Sequence, residues 1–152
     1  ELGRVLPELE ALYNKGGERP VAKYFEKDEI SQILQDVLDT CEATEEKLYR
    51  IYSSAALREY LYDGFSTFSD VRVAKGIAVK AIAIGDGGEL RGLDERKWLK
   101  ARVGSPTYIL LYPGKTAYIS LNTKQEPIGV VIENDGVFET QKAIFDTLWN
   151  HI

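Results

Sequence analysis

The chain has 152 residues and a mass of 17.1 kDa, with 44% hydrophobic and 28% charged residues, a formal net charge of −5 and a pI near 5.0. That is one domain's length and an ordinary globular composition, which excludes a disordered chain. An acidic balance also argues against this piece gripping a duplex alone, because phosphate neutralisation needs clustered Lys and Arg.

The first predicted element is a helix over "RVLPELEALYN" (4–14), where Leu6, Leu9, Leu12 and Tyr13 share one side and await a partner surface. "KGGERP" is a loop by composition. "VAKYFE" (21–26) then predicts a strand, and "DEISQILQDVLDTC" a helix with Ile30, Ile33, Leu34, Val37, Leu38 and Cys41 at helical spacing behind Asp28 as a cap. Cys41 is the only cysteine, so no intrachain disulfide can form, and its apolar surroundings mark it as a small buried hydrophobe.

"KLYRIYSS" (47–54) predicts a second strand. The helical stretch after it is broken by Gly64 into two pieces and closed by Gly76. "IAVKAIAI" (77–84) is a third strand, a nearly continuous apolar run of the kind buried on both faces. Strands alternating with helices in this order predict a parallel α/β core.

After the polar, glycine-bearing "GDGGELRGLDE", the segments "WLKARV", "TYILLY", "TAYISL" and "IGVVIE" follow as closely spaced strands. Pro113 and Gly114 turn between the second and third of these, and this half is expected to be antiparallel. A closing helix presents Val137, Phe138, Gln141, Ile144, Phe145, Leu148 and Ile152 on one broad face, with Asp135 near its start.

Motifs for chemistry are sparse. "YSSAA" lacks the flanking glycines of a nucleophile elbow, and His151 is the only histidine. "GDGG" (85–88) has neither the Lys-Ser/Thr of a P-loop nor the glycine spacing of a dinucleotide fingerprint. "RGLDERKWLKAR" gathers Arg91, Arg96, Lys97, Lys100 and Arg102; it could hold an anion, but Asp94 and Glu95 dilute it and a solvated connecting face is the favoured reading. Neither a metal site nor a cofactor is expected. The apolar runs fall short of the roughly 18–20 residues that cross a bilayer. No signal segment is recognisable, so no membrane association and a cytoplasmic location are expected. Because the chain opens at Glu1 and contains no Met, it is expected to be processed or cut from something longer.

In an α/β sheet, ligands gather beyond the carboxyl ends of the strands, where Glu26, Ser53, Ser54 and Asp86 stand in this sequence. Each has a plainer reading, as helix cap or turn former.

The run "REYL…RVAKGIAVKAIAI…TYILLYPGKTAYISLNTKQEPIGVVIENDGVFETQKAIFDTLW", with the earlier "LPELEALYN" and "YFEKDEI…ILQDVL", resembles the effector domain of TrmB-family transcriptional regulators across nearly the whole chain. The resemblance implies a phospholipase D-like fold: a mixed α/β sheet with parallel βα units followed by antiparallel strands, and helices on both faces. The phospholipase D signature H-x-K-x-x-x-x-D, laid on "PTYILLYPG", puts Pro106 at the His position, Tyr108 at the Lys position and Pro113 at the Asp position. No nucleophile or fixed cation survives there, so the implied use is binding rather than catalysis.

The family places a winged-helix DNA-binding domain before this one, joined by a helix that helps dimerise. Residues 1–14 would then be the end of that linker helix, with Leu6, Leu9, Leu12 and Tyr13 in a homodimer contact, and 21–152 the effector domain. DNA would be contacted only through the missing N-terminal domain. The partner expected in the cleft is an unidentified small-molecule effector, with sugars among the candidates. Its expected contacts are Glu26, Ser53, Ser54 and Asp86, together with Tyr108 and Asn122 from the hairpin that once held the catalytic motif. A phosphodiesterase-like hydrolase with an unrecognised catalytic set, or a pure oligomerisation module, stand as alternatives.

Overall fold

The structure, a computed structural model, describes residues 20–85, 90–101 and 107–152. Leu6, Leu9, Leu12, Tyr13, Asp86 and Pro106 lie outside the described residues.

Among the described residues seven strands form one sheet: β1 Val21–Phe25, β2 Leu48–Ser54, β3 Ala78–Ile84, β4 Asp94–Leu99, β5 Tyr108–Tyr112, β6 Lys115–Leu121 and β7 Pro127–Glu133. Their order is β1-β7-β6-β5-β2-β3-β4. The described helices are α1 Ile30–Glu42, α2 Ala55–Leu61, α3 Phe68–Ala74 and α4 Asp135–Trp149, with a 3-10 turn at Lys27–Glu29 before α1. This is the mixed α/β sheet expected from the sequence.

The six apolar positions that predicted α1 are its six buried residues, Ile30, Ile33, Leu34, Val37, Leu38 and Cys41. They pack with Leu57, Leu61 and Phe68 of α2 and α3 onto Tyr49, Ile51, Val79, Ala81 and Leu110 of the sheet. The opposite face is closed by α4. Phe138, Phe145 and Trp149 cover Tyr52, Ile82 and Leu111, and the Tyr52 and Phe145 rings meet edge to face at 5.2 Å. The alternation of strand side chains between the faces thus builds two separate cores.

Two expectations about strand direction are corrected. β1 is not part of a parallel βα unit: it runs antiparallel to β7 at the sheet edge, with Val21 opposite Glu133. Its exposed side chains suit an edge, where one flank has no neighbour, rather than the buried middle of a parallel sheet. β4 begins at Asp94 rather than Trp98 and runs parallel to β3, with Val79 opposite Asp94, so the antiparallel half starts only at β5. Its polar sequence, DERKWL, fits the other edge of the sheet.

The caps follow the sequence in part: Asp28, expected to cap α1, lies inside the 3-10 turn Lys27–Glu29, and Glu29 is the N-cap residue of α1. Gly76 takes φ +70 just past α3, and the N–H groups of Gly76 and Ile77 return to Val73 O at 3.0 Å and Arg72 O at 3.1 Å. At α4 the cap is Asn134, one residue before Asp135, with its Oδ1 accepting the Val137 N–H at 2.9 Å. Trp149 is buried on the α4 face, whereas Ile144 and Ile152, placed there by periodicity, are 53% and 39% exposed.

Candidate ligand cavity

A cavity of about 720 Å³ lies between the sheet and the α2–α3 pair. Its floor follows directly from strand register. Tyr49, Val79 and Asp94 stand side by side on β2, β3 and β4, and Ile51, Ala81 and Arg96 form the next row. The small Ala81 in the middle of that row leaves depth above the sheet. The walls come from Arg58 and Tyr62 at the end of α2, Phe68 and Arg72 of α3, and Tyr108 at the start of β5.

The four arginines lining this space fall into two kinds. Arg72 is fully engaged in structure: Nη1 donates to Ile77 O at 2.8 Å and Nη2 to Gly92 O at 2.7 Å, tying α3 to the start of β3 and the approach to β4. Arg91 is exposed, and its backbone N–H, like that of Gly92, donates to the Asp94 carboxylate.

Arg58 and Arg96 differ. Arg58 Nη2 donates to Ser53 Oγ at 2.8 Å, while Arg58 Nε and Arg96 Nε and Nη1 are out of contact with solvent and have no hydrogen-bond partner. No carboxylate among the described residues comes within 4.0 Å of either guanidinium. Burial, and next the nearby Arg58 charge, push the Arg96 pKa below its ordinary value.

The tyrosines line the cavity with hydroxyls as well as rings. The Tyr62 and Tyr108 hydroxyls face one another at 3.4 Å. Burial raises the pKa of Tyr62 and Tyr49 well above the phenolic range, so both remain neutral donors. Glu59 and Asp63 also line the cavity but are exposed.

Of the residues expected to bind a ligand, Tyr108 lines this cavity. Ser53 is fully buried and reaches it through its bond to Arg58. Glu26 is elsewhere, with its N–H bonded to Glu29 Oε1 at 3.0 Å before α1. Ser54 stands at the N-cap of α2. Asn122 closes the β6–β7 turn by accepting the Lys124 and Glu126 N–H groups at 2.8 and 3.0 Å. The sequence reading did not single out Arg58, and it took "RGLDERKWLKAR" as a solvated connecting face, whereas Arg96 within it is half-buried and lines the cavity. The spacing of Asp94 and Arg96 across one strand was the available signal.

His151 accompanies none of these groups; it follows α4, on the other face, and its Nδ1 lies 2.7 Å from Thr147 O. Among the described residues, no three His, Cys, Asp or Glu side chains gather to hold a metal ion. No helix among them is long and apolar enough to cross a membrane.

No family model matches the chain. No curated protein matches it either. Solved structures do share its fold. TrmBL2, an archaeal chromatin protein whose structure shows a novel mode of DNA binding, superposes with a TM-score of 0.55 at 12% identity, over 99% of this chain and 59% of that one. NucT from Helicobacter pylori gives 0.53 at 10% identity, over 87% of this chain and 97% of that one. A polyphosphate kinase from Porphyromonas gingivalis gives 0.57 at 9% identity, over 99% of this chain and 29% of that one. The chain therefore spans 59% of the length of TrmBL2. At such identities the likeness is one of fold alone: the phospholipase D-like mixed sheet expected from the sequence.

Proposed function

We propose that this chain is a non-catalytic, ligand-sensing domain of a TrmB-like transcriptional regulator. The observation that carries the reading is the cavity of about 720 Å³ beneath α2 and α3, of a size for a small metabolite and lined by tyrosine and arginine donors. The fold shared with TrmBL2, a DNA-binding chromatin protein, supports the regulatory context. In catalysis a nucleophile needs a base within reach. Here the single histidine follows α4 on the far face.

A ligand in this cavity would touch α2, α3, β4 and β5 at once. It would regulate by favouring one placement of these elements, and so one arrangement of two DNA-binding domains in a homodimer, over another.

Reading the source gene upstream of the Glu1 codon tests the regulatory part. An in-frame winged helix supports it, and a reading frame that begins near Glu1 overturns it. Turnover of bis(p-nitrophenyl) phosphate by metal-free protein would overturn the non-catalytic part. Light scattering of the full gene product tests the dimer: a monomer at high concentration refutes it.

A further inference from the structure

The electrostatics of the cavity specify a chemical class of ligand. We propose that Arg58 and Arg96 form an oxyanion subsite, so that the molecule bound is a small organic acid or phosphate ester rather than a neutral one. The inference rests on the ligand-binding reading of the cavity and deepens it.

The two buried arginines among the described residues both have partners. Arg50, 5% exposed, is paired with Asp146 at 2.8 Å, and Arg72, 2% exposed, donates to backbone carbonyls. Arg58 and Arg96 are half-buried, and each N–H that has given up water there without gaining a partner carries a cost. Arg58 and Arg96 carry three such unpartnered nitrogens between them, and each guanidinium repels the other.

The two side chains come from different elements, the α2 helix and the edge strand β4, and both line one cavity. Folding could have separated them, yet Ser53 Oγ holds the Arg58 head in place at 2.8 Å. An oxyanion between them would accept charge-assisted hydrogen bonds and remove the repulsion in the same step.

The rest of the ligand is constrained as well. Tyr49, Phe68 and Tyr108 form buried backing to the cavity, and Tyr62, half-buried at its wall, lies with its hydroxyl 3.4 Å from that of Tyr108. A nucleic-acid backbone is disfavoured by the net charge of −5.

Titration calorimetry with inorganic phosphate and with succinate, against chloride at equal ionic strength, tests the subsite and separates the phosphate and carboxylate forms of its ligand. One of the two anions is expected to bind wild-type protein, and Arg96→Gln and Arg58→Gln are each expected to weaken it about tenfold or more, the loss of one charge-assisted contact. Arg96→Lys should recover part of the affinity. A merely structural role predicts the reverse in unliganded protein: Arg96→Gln should melt at or above the wild-type temperature if relief of repulsion is real, and well below it if the side chain holds the fold.

Anion binding unchanged in both Gln variants would overturn the proposal. So would inert phosphate and succinate together with binding of a neutral sugar, which would leave the sensor reading intact. If neither anions nor neutral metabolites bind, both readings fall.

Discussion

Arg50 on β2 and Asp146 on α4 clamp the final helix to the sheet, with Nε donating to Oδ1 at 2.8 Å and Nη2 to Oδ2 at 3.3 Å. The arginine side chain is 6% exposed and the aspartate 39%. Asp146→Ala would strand a buried guanidinium and should cost about 2 kcal/mol, less than a fully buried pair because water reaches the carboxylate. Arg50→Met should cost less than Asp146→Ala, since it leaves no buried charge behind. Urea denaturation of the two variants checks the order, and equal losses would refute it.

Asp36 on α1 makes a second junction, accepting the Tyr112 hydroxyl at 2.8 Å and Lys115 Nζ at 3.0 Å from the two ends of the β5–β6 turn. Asp36→Ala leaves the buried phenol without its acceptor and is expected to cost about 1 to 3 kcal/mol. Tyr112→Phe removes donor and demand together and should cost about 1 kcal/mol. Equilibrium unfolding of both variants and of the double variant would show whether the penalties overlap, as they must if one bond underlies them.

β7 runs beneath α1 at Gly129, where an added Cβ would sit 2.8 Å from Ile33 Cδ1 and 3.3 Å from Ile30 Cδ1. Both isoleucines are buried and have little room to retreat. Gly129→Val is expected to destabilise by about 1 to 3 kcal/mol through overpacking, and Ile33→Val should restore part of the loss in the double variant. A Gly129→Val protein with unchanged urea midpoint would contradict so close an approach.

Alkaline pH should unfold this protein early. Burial pushes the Cys41 thiol up to about 12 from an ordinary value near 9, and raises Tyr49, Tyr62 and Tyr112 above the ordinary phenolic value near 10. The folded chain keeps protons that the unfolded chain releases. Their contribution is therefore intact below pH 9 and is lost as pH climbs from there towards 12 and beyond. Each such group adds a slope of about 1.4 kcal/mol per pH unit once the unfolded state ionises. Urea midpoints measured from pH 7 to 11 should hold level and then fall. The same burial predicts that Cys41 reacts with a thiol reagent only after unfolding; prompt labelling of native protein would refute it.

Much of the fold was legible in the sequence where a single rule governed. The 3.6-residue stripe of α1 named all six of its buried residues, and the apolar run of β3 identified a central strand. Trp149, four positions after Phe145 and stacked on it at 5.8 Å, lies on the α4 stripe by the same periodicity and was legible there. Strand direction was not legible at β1 and β4, because direction depends on the neighbour across the ladder and, among the described residues, both strands have only one. The cavity was hidden for a related reason. Arg58 and Arg96 are 38 positions apart (96 − 58), and only the crossover from β2 through α2 and α3 to β3, and on to β4, brings them to one space.

The strand order also bears on how the protein is made. Val21 pairs with Glu133, 112 positions later (133 − 21), so β1 has no neighbour in this sheet until β7 has been synthesised. Pairings this distant in sequence close the largest loops and form late. The β2–β3 pair, joined by one compact crossover, can assemble while translation continues, with β5 adding as soon as it emerges. A stalled or prematurely terminated chain would then expose the flank of β6 as an open template, and degradation or clumping of such nascent products is the cost of having the two ends of the described chain meet in one sheet edge.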